Sequence, residues 1–137
     1  MEAEELRIGN WINHPENYAI EVNSTTIDLM SILKNNRFNP IPLTEEILLK
    51  AGFVNIMDYT YELNLLDSRN TGIHVDFDDD DLKKVYRVCI GQENPNIEKR
   101  NRSREWVFFE RNIGEIHQLQ NLYYALTGEE LEIDLND

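Results

Sequence analysis

Hydrophobic and polar residues alternate along the middle of the chain, between Val54 and about Arg111. Apolar and aromatic residues recur there in four runs, at Tyr59–Leu66, Ile73–Phe77, Val85–Ile90 and Trp106–Phe109. Alternation with a period of two, together with aromatic and β-branched side chains, is typical of strands. The pattern therefore predicts four antiparallel strands, with a long polar loop at residues 91–103 before the last one.

The strongest helix signal lies between Thr44 and Gly52. The Thr44 hydroxyl can accept a hydrogen bond from a free amide of the first turn, and two glutamates follow at the positive end of the helix dipole. Gly52 can adopt the left-handed conformation that ends many helices, with Phe53 in the hydrophobic contact that accompanies such an ending. These cues predict a short helix. Its expected buried face contains Ile47, Leu48 and Ala51.

The N-terminal segment predicts a β-hairpin followed by a helix. A short strand with a turn or bulge at Gly9 precedes a loop at residues 14–17, and a second strand runs near Tyr18 to Val22. A helix is predicted next, because apolar residues recur every three positions at Ile27, Met30 and Leu33. The Thr25 hydroxyl can cap this helix.

A C-terminal helix is predicted between Glu115 and Gly128. Asn112 and Glu115 have the spacing of a capping box, and Gly128 can end the helix. Its apolar face consists of Ile116, Leu119, Leu122, Tyr123 and Leu126. The acidic tail at residues 129–137 is expected either to fray or to add an edge strand.

The length of 137 residues is close to the commonest size of one domain. We therefore predict a single small α+β domain over residues 1–137, in which an antiparallel sheet of about four to six strands packs with two or three short helices.

The chain is strongly acidic, with a net charge of −13 from 26 acidic and 13 basic residues. This charge disfavours sequence-independent binding of nucleic acid and favours a partner protein with a basic surface. The acidic turn, Asp78, Asp79, Asp80 and Asp81, is the candidate contact with such a partner. The other interpretation is a solvated turn that deters edge aggregation, and the spacing does not match a calcium-binding EF-hand loop.

A basic segment near residues 99–104 is the alternative candidate site. Lys99, Arg100, Arg102 and Arg104 could pair with phosphates, and Trp106 could stack on a base. The other interpretation is a solvated loop that balances the acidic turn.

No catalytic or metal-binding motif is evident. His14, His74 and His117 are far apart in sequence, and Cys89 lies in an apolar run where a cysteine is usually inert. We therefore predict a non-enzymatic protein without cofactor or metal. An enzyme of an unrecognised type is the remaining alternative, because side chains distant in sequence can converge in space.

The location is predicted to be a reducing cytoplasm. Cys89 is the only cysteine, and the N-terminus lacks the basic and apolar regions of a signal peptide. No apolar run approaches the roughly 18 residues that span a bilayer, so no membrane partner is expected.

Three segments carry a resemblance to a known family: LRIGNW at residues 6–11, IPLTEEILLKAGF at residues 41–53 and IHQLQNLYYALTGEEL at residues 116–131. They resemble a family of small, uncharacterised proteins from phages and mobile elements of Bacteroides and its relatives. The family has no assigned activity, so no functional residue is transferred. The resemblance implies a mobile gene expressed in the cytoplasm of a bacterial host cell, where small acidic proteins often act by binding a host protein.

The leading hypothesis is therefore a protein-binding module, specifically a phage or mobile-element inhibitor of a host protein that acts through an acidic surface. The alternative is a nucleic-acid accessory protein that uses the basic segment.

Overall fold

The computed structural model describes residues 5–25, 38–65, 71–78, 85–93, 104–108 and 113–135. The chain divides into two compact units, the first from residues 1–43 and 114–137 and the second from residues 44–113. Each unit contains an antiparallel sheet and a helix, so the α+β class is confirmed. The expectation of one sheet is wrong, because the strands form one sheet of three and another of five.

The first unit contains the predicted N-terminal hairpin. Its strands are β1 (Trp11–Asn13), β2 (Ala19–Glu21) and β3 (Asn39–Pro40), with β1 in the centre. The hairpin is confirmed by the antiparallel register, in which Ile12 lies opposite Ile20. Residues before Trp11 form a turn instead of a strand, because Gly9 has a φ of +97° that a residue with a side chain rarely adopts.

A helix of the first unit covers Ile116–Thr127, and a second helix, described below, precedes it in the chain. The predicted capping box is wrong, since Glu115 is the N-cap residue and makes no capping hydrogen bond with its side chain. Gln118 supplies the contact instead and accepts a hydrogen bond from the Gly114 amide at 3.0 Å. Gly128 ends the helix as predicted, with a φ of +74°.

The predicted apolar face of this helix is largely buried. Ile116 and Leu119 are fully buried and Leu122 is buried, whereas Leu126 is 40% exposed. The tail that follows forms no strand over residues 129–135, and Leu131 and Ile133 are buried. The predicted helix near residues 27–33 lies outside the described residues, although Ser24 and Thr25 before it are helical.

The second unit contains a meander of five antiparallel strands in chain order. They are β4 (Val54–Met57), β5 (Thr60–Asn64), β6 (Thr71–Phe77), β7 (Val85–Glu93) and β8 (Arg104–Phe108). The four predicted strands are confirmed as β5 to β8, but the prediction missed a fifth, since β4 pairs with β5 as an additional edge strand. The last connection is also shorter than the predicted residues 91–103, since β7 continues to Glu93, while β8 begins at Arg104, directly after the predicted loop end.

The short helix of the second unit, α1 (Glu45–Lys50), confirms the local prediction; the helix Ile116–Thr127 is therefore α2. The Thr44 hydroxyl accepts a hydrogen bond from the Ile47 amide at 3.3 Å. After the helix, the Gly52 amide donates to Leu49 and the Phe53 amide donates to Leu48, which is the Schellman pattern. Leu48 and Ala51 are buried and Ile47 is half-buried.

Candidate functional site

The predicted acidic turn is only partly within the described residues. Asp78 directly follows β6 and is half-buried, while Asp79, Asp80 and Asp81 lie outside the described residues. Asp78 is therefore the one residue of the predicted acidic turn that the structure describes.

The predicted basic segment is similarly divided. Lys99, Arg100 and Arg102 lie outside the described residues, whereas the backbones of Arg104 and Trp106 lie in β8. Arg104 is paired with Glu93 and Trp106 with Gly91. Only the backbone of these two residues is described, so the structure shows their place in the strand ladder.

Strand β4 is the feature that sequence reasoning missed. All four of its residues are exposed, and its large apolar side chains Val54, Ile56 and Met57 are 63%, 40% and 64% exposed. It is an edge strand with β5 as its only neighbour in the described sheet. Exposed apolar residues on a sheet edge invite association, and larger patches of this kind mark protein-binding sites.

The turn after β4 extends the exposed apolar surface. Tyr59 in this turn is 39% exposed. We call the set Val54, Ile56, Met57 and Tyr59 the apolar edge. Its flanking charges are acidic, because Asp58 and Glu62 lie in the same hairpin and residues 51–68 contain no lysine or arginine.

The hairpin formed by β4 and β5 is held by side-chain hydrogen bonds. The Asn55 side-chain amide donates to the Met57 carbonyl at 2.8 Å and to the Thr60 carbonyl at 3.3 Å. On β5, Tyr61 is buried and contacts Phe77 edge-on, with 5.7 Å between ring centroids. Burial, and next a hydrogen bond with Glu45, raises the pKa of Tyr61. The apolar edge therefore belongs to an ordered hairpin.

A row of polar residues crosses the same sheet. Glu62 lies opposite His74, and His74 lies opposite Cys89, so the three share one face. The His74 Nε2 atom is 3.6 Å from a carboxylate oxygen of Glu62. These residue types can form a thiol nucleophile with its base and an orienting carboxylate, and only the strand register brings them together.

The position of Cys89 in this row does not favour nucleophilic catalysis. Cys89 is only 3% exposed, so a substrate would not reach the sulfur atom in this structure. It is paired with His74 on one side and with Phe108 on the other. Backbone amides in such a doubly paired strand are used in the sheet, so they do not supply an oxyanion hole.

The first unit contains a network of polar side chains centred on Arg7. Its guanidinium group donates to Asn121 at 2.8 Å and pairs with the Glu130 carboxylate. It also lies 4.2 Å from the ring centroid of Tyr124, which is cation–π geometry. The positive charge of Arg7 is therefore paired within the protein.

Gln120 extends the network beneath the hairpin. Its side-chain carbonyl accepts a hydrogen bond from the Trp11 amide at 2.8 Å, and its amide donates to the Gly9 carbonyl at 3.1 Å. The side-chain amide of Asn10 donates to the side-chain oxygen of Asn121 at 3.0 Å. The segments 6–11 and 116–131 that carry the family resemblance therefore contact each other, and the contacting residues stabilise the fold.

His117 is a fully buried histidine on α2. Neither ring nitrogen has a hydrogen-bond partner among the described residues, and Nδ1 is 3.5 Å from a Glu115 carboxylate oxygen. Burial lowers the pKa of His117 and raises the pKa of Glu115. Because the ring is fully enclosed, His117 is not accessible to a substrate in this structure, whereas the Glu115 side chain is 34% exposed.

Within the described ranges, no group of three or more histidine, cysteine, aspartate and glutamate side chains could hold a metal ion. Neither helix in this part of the chain has the length and apolar composition to cross a bilayer. The chain matches no protein-family model, no curated protein and no solved structure.

Proposed function

We propose that this protein is a non-enzymatic protein-binding module and that the apolar edge contacts its partner. The observation that carries this proposal is the exposure of Val54 and Met57, at 63% and 64%, on an edge strand. Desolvating apolar side chains is the main favourable contribution to protein association. The hairpin is ordered by its own hydrogen bonds, so little conformational entropy is lost when it binds.

The partner is a protein with a basic surface. The net charge of −13 accelerates encounter with a basic protein and opposes association with another acidic one. An inhibitor of a host protein in the bacterial cytoplasm is consistent with this charge and with the family resemblance. The acidic turn, Asp78 to Asp81, is the proposed source of further electrostatic attraction.

A capture experiment with matched variants tests the proposal. The tagged protein is incubated with a nuclease-treated lysate of a Bacteroides host, alongside Val54→Lys and Ile8→Lys. Ile8 is the control because it is also 63% exposed but lies in the first unit. A protein captured by the wild type and by Ile8→Lys, but not by folded Val54→Lys, is the expected result. Equal capture by all three proteins would contradict the proposal.

A second capture series tests the electrostatic contribution. Replacing the four aspartates of the acidic turn with asparagine is expected to weaken capture, as is an increase in salt concentration. Capture that is insensitive to both changes would leave the apolar contact and remove the acidic turn from the proposed surface.

A nucleic-acid accessory protein is the second candidate. The observation that favours it is that the basic segment runs into strand β8, whose backbone contains Arg104 and Trp106. Cationic and aromatic residues in one segment suit single strands, because phosphates pair with cations and bases stack on aromatic rings. Gel shifts with single- and double-stranded probes at low salt are expected to show binding that Arg104→Gln weakens, if this function applies.

A further inference from the structure

The hairpin formed by β4 and β5 has features that distinguish between two ways of binding a protein. An edge strand can pair its backbone with an added strand, or its side chains can enter a cleft on the partner. The backbone of this hairpin disfavours an added strand, whereas its exposed side chains favour insertion into a cleft. This question rests on the proposed function, because it concerns how the same edge binds.

The backbone of β4 offers little for an added strand. A β-bulge lies between Asn55 and Met57, so Ile56 has no partner on β5 and the ladder is interrupted there. The Met57 carbonyl already accepts a hydrogen bond from the Asn55 side chain. Short strands, bulges and occupied backbone groups are the features by which natural sheets prevent edge pairing.

The side chains of β4 are available where the backbone is not. Val54, Ile56 and Met57 are all exposed, although bulge residues and edge residues are commonly polar in sheets that avoid association. A bulge changes the direction of the side chains beside it. Methionine suits an apolar cleft because its unbranched side chain adapts to irregular shapes.

The charges of the hairpin indicate which charges the partner carries around such a cleft. Asp58 lies in the turn after β4, and Glu62 lies opposite Val54 on the same face of the sheet. No lysine or arginine occurs between residues 51 and 68. A partner cleft that accommodates the hairpin therefore needs an apolar floor and basic residues around it. A second copy of this chain does not fit, because each copy has a net charge of −13.

We infer that the β4–β5 hairpin inserts Val54, Ile56 and Met57 into an apolar cleft of the partner that is rimmed by lysine and arginine. Side-chain burial supplies the affinity, and the exposed Asp58 orients the hairpin against the basic rim. Buried apolar anchors surrounded by polar contacts are the usual centre of tight protein interfaces.

Site-specific photo-crosslinking in the full-length protein tests this inference. Benzoylphenylalanine is placed at position 57, at position 78 or, as the control, at position 8, and each protein is irradiated in the host lysate. Crosslinks are expected from position 57 to apolar residues of one protein whose neighbouring surface is rich in lysine and arginine. No crosslink to that protein is expected from position 8.

Variants then measure the contributions of the side chains against the captured partner. Met57→Ala is expected to weaken binding about tenfold or more. Asp58→Asn is expected to slow association at low salt, whereas Glu16→Gln in the exposed loop of the first unit is expected to have no effect.

Three outcomes would overturn the inference. Crosslinks from position 78 but not from position 57, with capture still intact, would leave a protein-binding module standing but remove the apolar edge from its contact and move that contact to the acidic turn. Crosslinks between two copies of this chain would show self-association. If the wild type captures no protein at all, the inference and the proposed function fail together.

Discussion

Replacing Gln120 with leucine is expected to lower the free energy of unfolding by about 2–4 kcal/mol. Gln120 is 1% exposed, and its side chain satisfies two backbone groups of the N-terminal hairpin, the Trp11 amide and the Gly9 carbonyl. Leucine has a similar volume, so the change removes hydrogen bonds with little effect on packing.

The expected magnitude follows from the groups left without a partner. A buried polar group that loses its hydrogen bond costs about 1–3 kcal/mol. Trp11 is buried, so its amide accounts for the larger part of the loss, while Gly9 is half-buried and its carbonyl can reach water more easily. The leucine side chain offsets a part of this cost because it buries additional apolar area.

Urea unfolding followed by circular dichroism measures this loss. Gln118→Leu is the matched control, since Gln118 is half-buried and its single described bond, to the Gly114 amide, lies near the start of α2. That control is expected to lose less than about 1 kcal/mol. If Gln120→Leu is as stable as the wild type to within about 0.5 kcal/mol, the two hydrogen bonds do not stabilise the fold and the reasoning is refuted.

Three further predictions concern stability. Gly52→Ala is expected to lower the free energy of unfolding by about 1 kcal/mol, because Gly52 has a φ of +94°. Gly114→Ala is the control and is expected to be neutral, because no atom lies within 4 Å of the added carbon. Thermal unfolding compares the two variants, and equal melting temperatures would contradict the expectation. Burial lowers the pKa of His117 below its usual 6.5, so the unfolded chain binds a proton first and stability falls as the pH drops below about 6.5. The raised pKa of Glu115 has the opposite effect and adds stability as the pH falls towards 4.5. Because His117→Asn removes the titrating ring, this variant is expected to lose less stability than the wild type between about pH 7 and 5.5. Parallel curves of stability against pH for the two proteins would show that His117 is not responsible. Arg7→Lys is expected to lower stability by about 1 kcal/mol because lysine cannot pair with Glu130 and Asn121 in the same geometry, and an unchanged urea midpoint would contradict this.

Helix ends and tight turns could be predicted because their chemistry lies within a few residues. Thr44 caps α1 through a bond to Ile47, and Gly52 and Phe53 end it through bonds to the last turn. These interactions need no distant partner, so the order of residue types along the chain is sufficient. Gly128 at the end of α2 is predictable for the same reason.

Contacts between distant segments could not be predicted. The bonds from Gln120 to Trp11 and Gly9 join residues more than 100 positions apart. Likewise, the alignment of Glu62, His74 and Cys89 depends on the register of three strands. A shift of one residue would move each side chain to the other face, and the sequence pattern of a single strand does not determine that register.

The sequence by itself determined the α+β class, the acidic charge, both ends of α1 and the C-terminal end of α2. Only the tertiary structure decided which apolar residues are covered. Val54 and Ile73 are both β-branched residues of the same β-rich region, yet Ile73 is fully buried and Val54 is 63% exposed. The physical reason is strand order: β6 has a neighbour on each side, whereas β4 is the edge strand of the described sheet and its side chains are exposed. Strand order follows from pairing between segments and not from the composition of either strand.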